Sequence, residues 1–236
     1  MTYANIRVNI AGPVATLTLN RPDQLNALSP ALFREAGDAL EAMPEEVRVI
    51  VVAGAGRAFS AGADLKVLSD PEFRKTDDGA FQRHAVRFVD MLGTVAQVTI
   101  AKVHGLCLTG GLEVALGCDL IVAADEAQFA DTHAKIGFRP RWGLTQRLPR
   151  RVGIQRAREM SLTARMVGGR EAAAIGLALE SVPAPQLDAR VDALVAAILA
   201  NSARSLPIYK ALYAGAQNHF LDEGARFEAD YVRPRG

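Results

Sequence analysis

Cysteine is scarce in this sequence. Only Cys107 and Cys118 occur, and neither belongs to a C-x-x-C pair, so neither a disulfide framework nor a zinc site is indicated; both read as small buried apolar residues. Unbalanced charge is lacking as well. The 27 Lys and Arg nearly match 26 Asp and Glu, a formal net charge of +1, which removes the attraction that nucleic acid or an anionic membrane surface needs. No uninterrupted apolar run approaches the roughly 20 residues of a membrane span, and MTYANIRVNIAG at the N-terminus has neither the charged start nor the apolar core of a signal peptide. His84, His104 and His219 show no metal-ligand spacing and read as structural or surface residues, so no metal is expected. These absences describe a cytoplasmic globular protein that binds neither nucleic acid nor membrane.

What is present is a chain of 236 residues, 50% of them hydrophobic, enough for one large domain or one domain with a small appendage. Ile6, Val8 and Ile10 alternate with polar residues up to the turn Ala11-Gly12-Pro13, and Val14, Leu17 and Leu19 continue as the second strand of a hairpin. Ser29-Pro30 opens a helix that runs to about Met43, before Pro44. A strand over 47–53, a short helical piece after Asp64, a longer helix over 79–93 and a buried strand at 98–103 follow. After His104 come a turn, a small-residue helix at 110–117, a strand at 120–123 and an extended piece at 128–130. Beyond Arg147 the pattern is helical: 153–162, around 170–176, 185–200 and 203–220. With joints at Gly168-Gly169 and Pro183-Ala184-Pro185, the simplest division is an α/β catalytic core over 1–183 and a helical C-terminal part over 184–236.

GAGRAFSAGADLK (54–66) follows a strand and raises a choice between phosphate and carbonyl as the group its backbone holds. A dinucleotide fingerprint starts at Gly54 and Gly56, but its third glycine falls on Phe59, too large for the close packing that the motif requires. No Gly-Lys-Ser/Thr follows for a P-loop, and Ala58 replaces the first glycine of a nucleophile elbow, which leaves Ser60 as a turn residue. Ala61-Gly62-Ala63 runs into a helix at Asp64, and Thr109-Gly110-Gly111 precedes another. Each is either a tight turn or a place where free backbone N–H groups await a carbonyl oxygen that becomes negative; together they would form an oxyanion hole.

Read together, NRPDQLNAL (20–28), GRAFSAGADLK (56–66), GLCLTGGLEVALGCD (105–119), Ala127–Ala130 and Thr145–Leu148 resemble the enoyl-CoA hydratase/isomerase, or crotonase, family over about residues 5–183. The resemblance implies a spiral of ββα units with C-terminal helices used in oligomerisation, as a homotrimer or a dimer of trimers. It implies an acyl-CoA thioester substrate and no separate cofactor, since coenzyme A is part of the substrate. By position, Ala63 and Gly110 would supply the oxyanion N–H groups, and Ala61, Asp64, Leu65 and Lys66 would line the acyl-CoA site with Gln24 and Leu25.

The resemblance also implies an acid–base pair that adds water to a 2-enoyl-CoA. Glu113 matches the first of two family glutamates. Three residues into its helix, with Leu112, Val114, Ala115 and Leu116 around it, it reads either as a partly buried carboxyl of raised pKa or as a first-turn glutamate favouring the helix dipole. His133 stands where the second glutamate is expected. It is either Glu113's partner in proton transfer or the mark of lost hydratase activity, with Asp131 the only nearby carboxylate. Arg141 replaces a family glycine and points either outward or into the pocket, where it would narrow the space or pair with an acyl carboxylate; Trp142 reads as packing. The end at Tyr231–Gly236 falls earlier than is usual for the family, which implies curtailed terminal helices. Besides hydration, the same scaffold admits isomerisation, decarboxylation or thioester hydrolysis, and a non-catalytic acyl-CoA-binding subunit is the reading of another class.

Overall fold

The computed structural model describes residues 2–216 and Glu223. His219, the end of the helix expected over 203–220 and the segment Tyr231–Gly236 lie outside the described residues. Strands β1 (Ile6–Ala11) and β2 (Val14–Leu19) form the expected antiparallel hairpin. Helix α1 (Pro30–Glu41) follows, capped by Ser29, whose hydroxyl oxygen accepts from the Leu32 N–H at 3.2 Å. The chain then repeats one pattern: a strand in a large sheet, a strand in a small sheet, then helix. The first round is β3 (Val49–Gly54), β4 (Ala58–Ser60) and the helices α2 (Leu65–Ser69), α3 (Pro71–Thr76) and α4 (Ala80–Thr94). The second is β5 (Val98–Val103), β6 (Leu106–Leu108) and α5 (Gly110–Gly117). The third is β7 (Leu120–Ala124), β8 (Gln128–Ala130), a 3-10 turn at Ala134–Ile136, α6 (Leu144–Val152) and α7 (Ile154–Thr163). Then come β9 (Val167–Gly168), α8 (Gly169–Ala174), β10 (Glu180–Val182), α9 (Leu187–Leu199) and α10 (Ser205–Ala216).

The large sheet has the order β1-β2-β3-β5-β7-β10 and the small one β4-β6-β8-β9. Outside the hairpin the large sheet is parallel, and β4, β6 and β8 pair parallel beside it. This is the ββα spiral that the family resemblance implies. Parallel strands covered on both faces need apolar residues at every position rather than at alternate ones. Hence Val49–Ala53 and Ile121–Ala124 are buried without a break. One core runs from Leu17 and Ile50 through Phe33, Phe81 and Phe88 to Val191 of α9.

Several local expectations are corrected. Ser60 is not in a turn: it ends strand β4, is buried, donates its hydroxyl to the Asn26 carbonyl at 2.9 Å and accepts from the Gly62 N–H at 3.2 Å. The stretch between His104 and Gly110 contains β6, and the stretch beyond Arg147 contributes a strand to each sheet, β9 and β10. Runs of two or three residues carry no alternation to read. Helix α6 begins at Leu144 despite Pro149 within it, where proline gives up one backbone bond. The C-terminal helices are packed onto the core. Lys210 of α10 donates to the Leu92 and Gln97 carbonyls at 2.8 Å and pairs with Asp119.

The segment NRPDQLNAL is organised around one buried amide. Leu25 and Asn26 have φ of 52° and 55°, a left-handed pair that Asn tolerates better than most residues. Asn26 Nδ2 donates to the Ala55 and Ala58 carbonyls at 2.8 and 2.7 Å, and its Oδ1 accepts from the Arg21 N–H at 2.9 Å. Asn26→Ala leaves those groups unpaired in the interior and is expected to cost about 3 kcal/mol, a fall in melting midpoint of roughly 6–12 °C. A midpoint within a degree of wild type by calorimetry would contradict this account of the loop.

Candidate active site

Strands β4, β6 and β8 are adjacent and parallel, so their carboxyl ends open together at steps of about 4.8 Å. Three segments leave there: residues 61–64, 109–111 and 131–133. Gly62 takes a φ of +97°, and a Cβ on it would lie 3.3 Å from the Gly110 nitrogen, so the first two turns touch. Thr109 also has a positive φ, 52° with ψ −110°, a conformation that costs roughly 1–3 kcal/mol in a residue with a β-branched side chain. Its hydroxyl is pinned to that of Thr132 in the third segment. Ala63 and Gly110 then have N–H groups that donate to no protein oxygen among the described residues. Both line one cavity of about 240 Å³, together with Glu113 and His133.

Glu113 is 1% exposed. Its Oε1 accepts from the N–H groups of Trp142 at 2.8 Å and Leu144 at 3.3 Å, so Oε2 is the oxygen left for chemistry. Burial raises its pKa above the ordinary 4.5, and the two N–H donors and the nearby His133 only partly reverse this. His133 is buried beside it. Its Nδ1 lies 2.7 Å from Asp131 Oδ1 and its Nε2 3.8 Å from Glu113 Oε2. Burial works to raise the Asp131 pKa, but hydrogen bonds from His133 and Ser161 outweigh it and hold this carboxyl below the usual range. An ionised carboxylate can only accept, so the His133 ring donates its Nδ1–H to Asp131 and turns Nε2 toward Glu113. The 3.8 Å gap is too long for a direct hydrogen bond and suits a bridging water.

Trp142 does more than pack. Its ring meets Phe33 and Phe81 edge-on, with centroids 4.9 and 5.7 Å away, and its Nε1–H donates to Gln82 at 2.7 Å. A Cβ on Gly110 would stand 2.3 Å from that ring, so glycine is required where the indole covers the helix start. The ring and backbone of Trp142 thus fix Gly110 and Glu113 together. No local pattern announces this contact, which spans 29 residues; Phe81, Gln82, Leu68, Phe138 and Arg139 also line the cavity and carry no sequence signal.

Arg141 lines the cavity while remaining exposed. The six residues expected along the acyl-CoA site are not among those lining it. The Ala61 N–H donates to the Leu25 carbonyl at 2.9 Å, which ties the two segments together. Gln24, Leu25's neighbour, is exposed, as are Leu65 and Lys66. Asp64 is buried, caps α2 and pairs with Arg21 at 2.8 Å.

The raised pKa of Glu113 has a sign for stability. Folding favours its protonated form, so this contribution is fully present below the ordinary value of 4.5 and is lost as pH rises through the folded value. Glu113→Gln keeps the shape without the buried charge. It is expected to raise the melting midpoint by roughly 2–4 °C at about pH 8 and to change it little at about pH 5. A midpoint below wild type at about pH 8 would show the buried carboxylate to be stabilising instead.

The enoyl-CoA hydratase/isomerase family matches residues 9–233. A probable enoyl-CoA hydratase of Mycobacterium tuberculosis is 35% identical over 230 residues, which is 97% of this chain and 88% of that protein. The enoyl-CoA hydratase of Bacillus anthracis superposes with a TM-score of 0.90 at 31% identity, over 96% of this chain and 88% of its own. A Thermobifida fusca YX protein, solved in complex with acetoacetyl-CoA, does so with 0.89 at 33% identity, over 96% and 92%. With its fold, its two unpaired turn amides and these relatives in agreement, the chain belongs to the enoyl-CoA hydratase/isomerase family.

Proposed function

We propose that the protein adds water across the double bond of a 2-enoyl-CoA thioester. The observation that carries this reading is the meeting of two undonated N–H groups, Ala63 and Gly110, with a buried carboxyl in one cavity. In this reading the thioester oxygen sits on the two N–H groups, which hold the negative charge that develops there; donors fixed in advance need no reorganisation as that charge appears. A water bridges Glu113 Oε2 and His133 Nε2, giving one hydrogen to each, so that its oxygen faces the β-carbon. As that oxygen bonds to the β-carbon, the π electrons pass to the thioester oxygen and a water proton passes to Glu113 Oε2. The enolate then collapses, and Oε2 returns that proton to the α-carbon. Water is consumed and the enzyme is unchanged. A carboxyl with a raised pKa suits both halves of this relay. Asp131 touches no reacting atom in this scheme; it positions His133 by holding its Nδ1–H.

The arrangement of the rest follows the same reading. Gln24, Leu25, Ala61, Asp64, Leu65 and Lys66 flank the coenzyme outside the cavity, where the last two are exposed on α2. Assembly as a trimer or a dimer of trimers is supported by large apolar side chains left exposed on the surface, among them Ile154, Leu162, Met166 and Leu179. A cytoplasmic location agrees with the absence, among the described residues, of any helix long and apolar enough to cross a membrane.

Absorbance of the conjugated thioester of a short 2-enoyl-CoA is the assay. Wild type is expected to bleach it, Glu113→Gln to lower kcat by about 100-fold or more, and Asp131→Asn by about tenfold with an altered pH profile. Full activity of Glu113→Gln would overturn the relay. Tight binding without bleaching would favour the non-catalytic acyl-CoA-binding reading.

A further inference from the structure

The cavity mouth carries two cations without partners. Arg139 and Arg141 both line it and are exposed, and among the described residues neither forms an ion pair or a hydrogen bond. Several other arginines are matched, Arg21 with Asp64, Arg147 with Asp90, and Arg165 with Glu159 and Glu171; what sets Arg139 and Arg141 apart from the remaining unpaired surface arginines is that they line the cavity. The two carboxyls nearby are already engaged, Glu113 by backbone N–H groups and Asp131 by His133. A ligand entering here therefore meets uncompensated positive charge.

Position decides which anion that charge serves. Arg141 precedes Trp142, whose nitrogen is 2.8 Å from Glu113 Oε1, so the Arg141 Cα lies within about 5 Å of that oxygen. A side chain rooted so close to the proton relay reaches groups a few carbons from the thioester. The phosphates of coenzyme A are removed from it by the whole pantetheine arm. Phe138, exposed at the same mouth, offers an apolar face for the carbons in between. We propose that Arg141, with Arg139 beside it, binds a carboxylate at the far end of the acyl chain, so that the favoured substrates are thioesters of dicarboxylic acids. This rests on the acyl-CoA reading above and specifies its substrate class. A planar guanidinium meets a carboxylate in two parallel hydrogen bonds, which gives direction as well as attraction.

Binding of saturated thioesters separates this inference from the hydration chemistry, because such ligands cannot be hydrated. By titration calorimetry, glutaryl-CoA is expected to bind wild type about tenfold more tightly than pentanoyl-CoA, which has the same number of acyl carbons. Arg141→Gln should bring that ratio close to one, and Arg141→Lys should retain part of it. Equal affinities in wild type would overturn the proposal. So would an Arg141→Gln variant that weakens both thioesters and free coenzyme A by the same factor, since the guanidinium would then serve a coenzyme phosphate. Failure of wild type to bind either thioester would overturn both this and the acyl-CoA reading. A glutaryl-CoA preference without bleaching of any 2-enoyl-CoA would leave the subsite standing and remove only the hydratase chemistry.

Discussion

A carboxyl group that is 1% exposed must find hydrogen-bond donors or lose its charge, and Glu113 finds its donors in the backbone of Trp142 and Leu144. The rest of the site is arranged around that bond. It holds one carboxyl oxygen and leaves the other facing His133. It fixes the loop on which Arg141 sits, and it sets the indole of Trp142 against Gly110. Because Glu113 and Gly110 share the first turn of α5, the Gly110 N–H and the Glu113 carboxyl cannot move independently. The electrostatic cost of keeping a carboxylate here is what gives it a raised pKa, so the feature that weakens the fold is the one that equips the site.

Topology makes this arrangement possible. Three short parallel strands of the small sheet end side by side, and each delivers one component: Ala63 after β4, Gly110 after β6, and the Asp131–His133 pair after β8. Neighbouring strands place these at the spacing of one small molecule. The strained backbone of Thr109 lies at the centre, where its hydroxyl meets Thr132. The large sheet and its helices carry the apolar burial that holds such local strain in place.

How far the sequence could be read follows from the length scale of each signal. Elements with five or more residues and a local signal are legible: the hairpin by its alternation, α1 by its Ser29 cap, β5 as an apolar run and α5 as a run of small and apolar residues after paired glycines. Strands β4, β6, β9 and β10 are not, since two or three residues show no period of their own, although β8, equally short, reads as extended; Ser60, which reads as a turn residue, is a buried strand residue. Ala63, Gly110 and Glu113 were accessible because glycine turns, helix starts and a carboxyl among apolar residues are local features. Their meeting in one cavity, the grip of Trp142 on Glu113 and the Asp131–His133 pair are set by packing between segments distant along the chain. Arg141 shows the same limit: its type is plain from the sequence, while its place at the cavity mouth is a matter of structure.

The proposed chemistry needs two backbone amides to share one thioester oxygen, and a crystal structure of the protein with a β-ketoacyl-CoA bound tests that directly. The result expected is a thioester oxygen about 2.7–3.1 Å from both the Ala63 and the Gly110 nitrogens, with the α-carbon facing Glu113 Oε2. An oxygen that meets only one of the two nitrogens, or a thioester seated outside the cavity, would contradict it.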